Sequence, residues 1–552
     1  MPSPVVSVVH ASTLTAAVVS SCASLKLPII TKTSNRKKKA SVIMHGTTDT
    51  DEYYSDAVSL TPRTKLGKIA GGHECAKKHT LASVFSRCSA VLTSSGSSDQ
   101  RPSPVDEFWP KTFVLPSEQE GAMAALERNR KRKGEKKKTF ILKPSSGSQG
   151  EGILLLQEPT TMGATSLMWS ARRNYVMQEY IPNPHIVSAE CPYKWDMRVY
   201  VTVASLEPLQ LLLHKEGLVR FCTTEYRRPA RENLMDTMSH LTNYSLNKRS
   251  DNYVNAAAAG PSSAADDGGA DDSDEAGEGS KRALSDVLRC LPGFLPEGLT
   301  ESGLYDRLAS LSYYTMTAML PLLKTHKYVV KAKNETLLTN SFQTFGLDVL
   351  VDAAGKCWLL EVNSNPSMRL DHEGEKSPVD EKVKGSVMDG VMRTVAGKGG
   401  EDGGGSGDRK SYDDVIDISS PVAGTTDPRW GDYESLFDGI SVVYRHLFAG
   451  AGGGTKTILL TLIIFRKLMK LLKKERETHI YDLVHQRFVQ QWREARDRED
   501  AQEFQEDFNV MDLYDLLYTL KGSAGFRDDE EATVEGLVAA IVEGIAAAAA
   551  ES

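Results

Sequence analysis

The stretch "FGLDVLVDAAGKCWLLEVNSNPSMR" (345–369) constrains the fold of this chain more than any other. Two apolar runs flank Asp352-Ala353-Ala354-Gly355, the signature of a β-hairpin. Centring the turn on Ala353-Ala354 pairs Val351 with Lys356 and Asp348 with Leu359. Glu361 then lies diagonally from Asp348 on one face, and period-2 alternation adds Asn363 to that face. Two carboxylates in an apolar hairpin repel and are costly to bury. A hard cation resolves that cost, and carboxylates combined with phosphate oxygens are how magnesium is usually held. The competing reading of Glu361 to Asn365 is a plain strand cap feeding a polar turn, with Asn365 and Pro366 shaping the exit.

The hairpin is one of several strand-like runs: "TFILK" (139–143), "GILLLQ" (152–157), "YVMQEYI" (175–181), "MRVYVTVAS" (197–205) and "LQLLLHKE" (209–216). Residues 304–326 carry helical spacing, and the N-terminus opens as strand, helix, strand over "VVSVVHAS", "TLTAAVVSSCASLKL" and "SVIMHG". Mostly antiparallel strands with interspersed helices predict an α+β fold. Low-complexity seams divide the chain. "RNRKRKGEKKK" (128–138) is a basic run read as a mobile loop. The acidic insert at 256–280 cannot build a packed core, and the Gly-rich stretch at 397–410 marks a linker. The expected organisation is an N-terminal α/β domain (1–112), a central domain (113–196), a C-terminal domain (197–396), a linker (397–432) and a helical extension (433–552).

With 552 residues the chain has room for roughly three compact units. A net charge of −7 does not mark a nucleic-acid binder, and seven cysteines without a CxxC pair argue against a disulfide framework or a zinc site. The first 48 residues lack Asp and Glu, which suits a transit peptide or an opening α/β unit; the latter explains the same residues without cleavage. No apolar run approaches the 18 or so residues of a membrane span, so a soluble protein is expected.

Three further clusters suggest chemistry. In "FILKPSSGSQGEGILLLQ" (140–157) two strands flank Gly147, Gly150 and Gly152, whose backbone N–H groups can converge on an anion, with Lys143 at the mouth. An ordinary glycine turn has the same composition, and no Walker GxxxxGK[ST] motif is present. "VMQEYI" (176–181) offers extended backbone before Pro182, suited to the edge of a planar base or to plain strand pairing. In "KWDMRVY" (194–200), Lys194, Asp196 and Arg198 alternate onto one strand face, followed by Lys215 and Arg220. Such a face needs a polyanion or solvent.

These pieces, in this order, resemble the tubulin tyrosine ligase-like family, ATP-grasp enzymes that attach amino acids to tubulin. The segments that carry the resemblance are "ILKPSSGSQGEGI", "QEYI", "KWDMRVYVTV", "KEGLVRFCTTEY", "SHLTNYSLNK", "GSKRALS" and "GLDVLVD…LLEVNSNPSMR", over about 55–395. "EVNSNPSMRLDHE" and the helical extension look closest to its polyglutamylating branch. The resemblance implies that Lys143, Gln149, Gly150, Gln178, Glu179, Tyr180, Ile181, Lys194, Trp195, Asp196, Thr242 and Asn243 contact ATP. Asp348, Glu361 and Asn363 would hold two Mg2+ ions. Arg220, Tyr244, Ser245, Lys281 and, more weakly, Lys384 would hold the incoming amino acid. Arg198 would lie near the transferred phosphoryl group, so that Arg198, Arg220 and Glu361 form the catalytic set. Two departures stand out: "HIVSAECPY" (185–193) is longer than the family's usual loop, and Trp195 replaces its usual Phe.

The implied reaction is ATP-dependent ligation of free L-glutamate, through an acyl phosphate, onto glutamate side chains or growing chains of the acidic tubulin tails. Tubulin or microtubules would be the partner, with no nucleic acid and no membrane, and a monomer acting in the cytoplasm and on the cytoskeleton, including cilium, flagellum or basal body. Within "FRKLMKLLKKER" (465–476) a helix would align Arg466, Lys470, Lys473 and Lys474 for microtubule docking, or simply as a solvated face. A glycylase of the same family and a catalytically silent tubulin-binding module are the alternatives.

Overall fold

In the computed structural model of the chain, the described residues are 4–9, 14–30, 40–48, 50–94, 102–132, 137–145, 152–159, 175–242, 247, 280–329, 336–372, 375–397, 414–422, 427, 429–448, 513, 516, 517, 534, 537–539, 541 and 542. Their strands are β1 (Val6–Val9), β2 (Ile29–Ile30), β3 (Val42–His45), β4 (Lys65–Gly67), β5 (Thr112–Leu115), β6 (Phe140–Pro144), β7 (Leu154–Leu156) and β8 (Tyr175–Glu179). They continue with β9 (Tyr193–Leu206), β10 (Leu209–Glu225), β11 (Lys281–Ala283), β12 (Ser341–Val351), β13 (Cys357–Asn363), β14 (Asp371–His372), β15 (Glu375–Lys376) and β16 (Val415–Asp417).

Ten strands form one sheet in the order β11-β10-β9-β12-β4-β3-β1-β2, with β13 added on β12 and β16 on β10. Its β9–β13 half is antiparallel, as expected. The N-terminal strands are parallel and join that half through β4 against β12, so the first seventy residues extend the main sheet. A second sheet runs β5-β8-β6-β7, all antiparallel. The α+β expectation therefore holds, and among the described residues no helix is long and apolar enough to cross a membrane.

The alternation of β9, β10 and β12 explains how the main sheet is built. Trp195, Met197, Val199, Val201 and Val203 of β9, Leu211, Leu213, Val219 and Phe221 of β10, and Phe345, Leu347, Val349 and Val351 of β12 all enter one core. The helices Lys78–Ser94 and Glu301–Val329 cover that face. The intervening residues point to the opposite face, because side chains alternate along a strand. Helix Pro378–Val395 packs on part of that second face, with Val383, Val387 and Val391 against Val6, Tyr200 and Phe342. The smaller sheet is backed by helix Gln119–Arg130 through Ala122 and Leu126, leaving its other face toward the main sheet.

Two expected seams take on structure. Within 397–432, Val415–Asp417 pairs antiparallel with β10. In the extension, helix Trp430–Phe448 places Trp430, Tyr433, Leu436, Phe437 and Ile440 in the main core, where Leu513, Leu516, Leu517, Val534, Leu537, Val538 and Ile541 join them. The basic segment 465–476, residues 256–279 of the acidic insert and 133–136 of the basic run lie outside the described residues. At the edge of the basic run Lys137 pairs with Glu158, and Lys138 with Glu179 at 2.6 Å.

Candidate active site

The hairpin of β12 and β13 forms in a register different from the one read off the sequence. Val351 pairs with Cys357, not Lys356. Beyond that pair the Asp352 N–H donates to the Lys356 carbonyl (2.9 Å), leaving a three-residue loop that ends on Gly355, whose φ of 78° is the left-handed conformation that closes such turns. Asp352 holds the turn: its Oδ1 accepts from the N–H groups of Ala354 (3.0 Å) and Lys356 (2.9 Å), and its Oδ2 from the Trp358 indole (2.9 Å). A β-bulge follows, so that Val349 faces Leu359 while Asp348 faces Glu361 directly rather than diagonally. Two residues of a bulged strand oppose one partner. Leu360 and Glu361, adjacent in sequence, therefore both line the same cleft, which regular alternation forbids.

The charged face spans five strands. Arg220 stands opposite both Asp196 and Lys281, Arg198 opposite Asp348, and Asp348 opposite Glu361, and directly opposed residues share a face. Asp348 accepts from Arg198 Nε, from Arg198 Nη2 at 2.9 Å, and pairs with Arg220 Nη2 at 2.9 Å. Asp196 accepts from Arg220 Nε (2.8 Å) and Nη2 (2.6 Å) and from Thr242 Oγ1 (2.6 Å). Burial would raise the Asp348 carboxyl, but the two guanidiniums override it and hold it well below the usual carboxylate range. Gly346 makes room for this: a Cβ there would lie 2.7 Å from Arg198 Cδ and 3.1 Å from Pro366 Cβ. Lys215 does not join the face, since it falls in the irregular stretch between Leu213 and Gly217.

Between this face and the smaller sheet lies a cleft of about 670 Å³. Ile141, Ile153, Leu350 and Leu360 give it apolar walls, while Lys143, Gln178, Lys194 and Asp196 supply polarity. Lys143 Nζ donates to Gln178 Oε1 (2.8 Å) and to the Leu360 carbonyl (3.3 Å). Lys194 Nζ donates to Tyr180 Oη (3.0 Å) and the His240 carbonyl (2.7 Å), and sits 4.3 Å from the Tyr180 ring centroid. Burial pushes each ammonium down to about 8. Two desolvated cations held by neutral oxygens suit an anionic guest. The N–H groups of Glu179 and Tyr180 already donate to the carbonyls of Lys111 (2.8 Å) and Thr139 (2.9 Å), which leaves carbonyls and the Ile181 backbone to read an edge.

The structure thus brings Lys143, Gln178, Glu179, Tyr180, Ile181, Lys194, Asp196, Arg220, Thr242, Asp348 and Glu361 to one cleft. Arg198 adjoins it through Asp348, and Asn363 through Glu361, whose Oε1 accepts from Asn363 Nδ2 at 3.3 Å. The Trp195 side chain does not enter. It is buried on the other face of β9, its ring 4.4 Å from that of Phe294, so Trp195 could meet a nucleotide through its backbone alone. Lys281 and Lys384 converge on Asp380 at 2.5 and 2.8 Å, and Lys384 also donates to the Arg369 carbonyl (2.7 Å). Gln149, Gly150, Asn243, Tyr244 and Ser245 lie outside the described residues.

Sequence reasoning missed three participants. Lys78 Nζ is 3.3 Å from Glu361 Oε2, and nothing in "AKKHT" distinguishes it. The His240 carbonyl, holding Lys194, leaves no trace in a sequence. Asp380 had a signal: it follows a Ser377-Pro378 helix start and precedes Lys384 by four residues. Among the described residues no three His, Cys, Asp or Glu side chains converge as a metal site. Asp348, Glu361 and Asn363 nonetheless fit magnesium, which takes one or two carboxylates and completes its shell with phosphate oxygens and water.

Comparison with known proteins gives a concordant picture. A model described as the tubulin-tyrosine ligase family matches residues 72–265 and 316–401. The human protein "Tubulin polyglutamylase TTLL11" is 35% identical over 297 residues, covering 52% of this chain and 38% of that protein. Human "Tubulin polyglutamylase TTLL6" is 31% identical over 325 residues, 59% of this chain and 30% of that protein. The Caenorhabditis elegans "Tubulin polyglutamylase ttll-11" is 30% identical over 421 residues, 73% of this chain and 53% of that protein. The matches thus span between about a third and a half of the relatives' own lengths.

Proposed function

The chain belongs to the tubulin-tyrosine ligase family, and from that premise we propose that it is an ATP-dependent polyglutamylase. It would join the amine of free L-glutamate to carboxylates of glutamate residues, or of growing glutamate chains, in the acidic tails of tubulin. Its fold, two sheets clasping a cleft, is the ATP-grasp arrangement of the family. One observation carries the proposal: Asp348 and Glu361 face each other across the ladder at the edge of a cleft lined also by the buried Lys143, from the smaller sheet, and Lys194, from β9.

The roles follow from position. Lys143 and Lys194 bind phosphate oxygens, and the apolar walls with the Glu179–Ile181 backbone take the base. Asp348, Glu361 and Asn363 would hold magnesium, as two ions, which when bound neutralises charge on the transferring phosphoryl group. A carboxylate oxygen of the acceptor takes the γ-phosphoryl as the bond to ADP breaks. The amine nitrogen then displaces phosphate from the acyl carbon, forms the amide and gives up a proton. Arg198 stands where it can follow the transferred charge. Arg220, Lys281 and Lys384 orient the carboxylates of free glutamate, and Asp380 keeps the two lysines together. Positioning and electrostatics suffice, so no nucleophilic side chain is required.

A second carboxylate on the incoming amino acid matches this surplus of cations better than glycine does. Cytoplasmic action on the cytoskeleton, in cilium, flagellum or basal body, belongs to the same proposal. The test is mass spectrometry of tubulin tails after incubation with ATP and either glutamate or glycine. Glutamate additions are expected, and Glu361→Gln should lower them by at least about a thousandfold, the scale of removing a preorganised electrostatic element. Transfer of glycine alone, or full transfer by Glu361→Gln, would refute the proposal.

A further inference from the structure

We propose that the cleft at the ends of β3 and β4 is the subsite for the acceptor, the glutamate side chain of an acidic peptide, with Lys68 as counter-ion of its carboxylate. This rests on the ligase reading above and adds the place where the second substrate lies.

The cleft, about 440 Å³, is lined by Thr47, Lys68, His73, Gln343, Ser364 and Asn365. Lys68 Nζ donates to Asn365 Oδ1 at 2.8 Å, and among the described residues no carboxylate lies within ion-pair distance of it. Burial pushes this ammonium down to about 8, with no neighbouring charge to offset it. A half-buried cation whose partner is a neutral amide is left short of a counter-charge, which an anionic guest reaching it from solvent would supply. Lys68 also has a φ of 154°, a region glycine occupies more readily, and such departures gather at functional positions. Around it the scaffold is fixed: Gln343 Oε1 accepts from the Ile69 N–H (2.9 Å) and its Nε2 donates to the Ser364 carbonyl (2.5 Å).

A second cavity of about 490 Å³ shares Lys68, Gln343 and Asn365 with the first. It is lined by His45, which is 1% exposed and whose Nδ1 has no partner among the described residues, while Nε2 lies 3.1 Å from Asp56 Oδ2. An unpartnered, fully buried ring nitrogen is the mark of a hydrogen bond still to be made. Both cavities sit at the carboxyl ends of the parallel strands β3 and β4, where ligands of open parallel sheets bind.

Strand order identifies the guest. Lys281 and Arg220 stand on β11 and β10, to one side of Asp348, whereas β4 lies on the other side of β12. Asn365 is two residues past Asn363, at most about 7 Å of chain. An anion at Lys68 therefore reaches the Asp348–Glu361 pair from the side opposite to the incoming amino acid, as the acceptor in an acyl transfer must.

The experiment is fluorescence anisotropy of a labelled glutamate-rich peptide, which needs no turnover. Lys68→Met removes the charge. Asn365→Asp keeps Lys68 but supplies an internal carboxylate, and its near-identical shape preserves the fold. Each should weaken peptide binding by about tenfold, as expected for loss of one partner of a half-buried, hydrogen-bonded charge pair. Lys68→Arg should stay within about threefold of the unmodified chain by the same reasoning. Binding of a non-hydrolysable ATP analogue and of free glutamate should not change in any variant. Wild-type peptide affinity in both Lys68→Met and Asn365→Asp, or a loss confined to the ATP analogue or free glutamate, overturns the assignment. A chain that binds the peptide through Lys68 but transfers no glutamate would leave the subsite standing and sink the ligase reading instead.

Discussion

Lys143, on the smaller sheet, and Lys194, at the start of β9, are held by neutral oxygens: an amide, a phenol and two carbonyls. Arg198 and Arg220, farther along the face of the main sheet, are locked onto the carboxylates of Asp348 and Asp196. Both pairs are cationic and largely withdrawn from solvent, yet they meet the cost of desolvation differently. The arginine pair is neutralised internally, so it is stable without a guest. The lysine pair is not, and its ammonium groups are correspondingly depressed. On the proposed function a magnesium nucleotide would be complementary to both at once, its phosphates meeting the lysines and its metal the carboxylates that the arginines now hold. Binding would then exchange partners rather than create charge.

The contrast can be broken most severely at Asp348. Asp348→Asn leaves Arg198 and Arg220 facing each other across a buried site, and should cost about 3–5 kcal/mol of folding stability together with all detectable transfer. Urea unfolding followed by a transfer assay reads both, and an undiminished unfolding midpoint would mean that the pairing contributes nothing to the fold. Lys143→Met should behave in the opposite way. It removes a desolvated charge with no carboxylate partner, so stability should hold or rise slightly, while nucleotide affinity falls by about a hundredfold, or about 2.7 kcal/mol. If the two variants destabilise alike, the distinction between the two pairs is wrong.

The smallest effect is the dependence on pH. Lys143 and Lys194 lose their protons above about 8 in the folded chain, whereas an unfolded lysine keeps its proton to about 10.4. Between those values the unfolded state binds more protons, so these two groups make the nucleotide-free chain more stable as pH rises. Nucleotide affinity should run the other way, flat below pH 8 and several-fold weaker by about pH 9.5. Melting temperature and dissociation constant measured on the same samples should therefore diverge above pH 8. Parallel trends would place the titrating groups elsewhere.

Much of the site was legible because a strand writes its faces into the sequence at period 2. Lys194, Asp196 and Arg198 could be placed together in this way, whereas Trp195, counted among the ATP contacts on the family resemblance, follows the same alternation onto the opposite side. The register of the hairpin was not legible. It depends on Gly355 adopting a left-handed turn and on a bulge at Leu360, and neither alters composition. The two shifts leave Glu361 on the face of Asp348, so the shared face survived a register that was wrong in detail. Pairing over long separations was equally hidden. Nothing in "TKLGK" announces that Lys65–Gly67 lies beside β12, some 275 residues on, or that Lys281 meets an aspartate 99 residues away.

The continuous sheet has a further consequence. Asp196, Arg198, Arg220, Lys281, Asp348 and Glu361 come from distant parts of the chain, yet their spacing is set by backbone ladders. The sheet acts as a ruler, its graduations being the fixed interval between hydrogen-bonded strands. The opposing wall has no such calibration, since the smaller sheet meets this face across the cleft and is not stitched into its ladder. On warming, the graduations should outlast the grip, because local opening begins where backbone pairing is absent. Heat would then take the nucleotide's lodging before it blurs the order of charges.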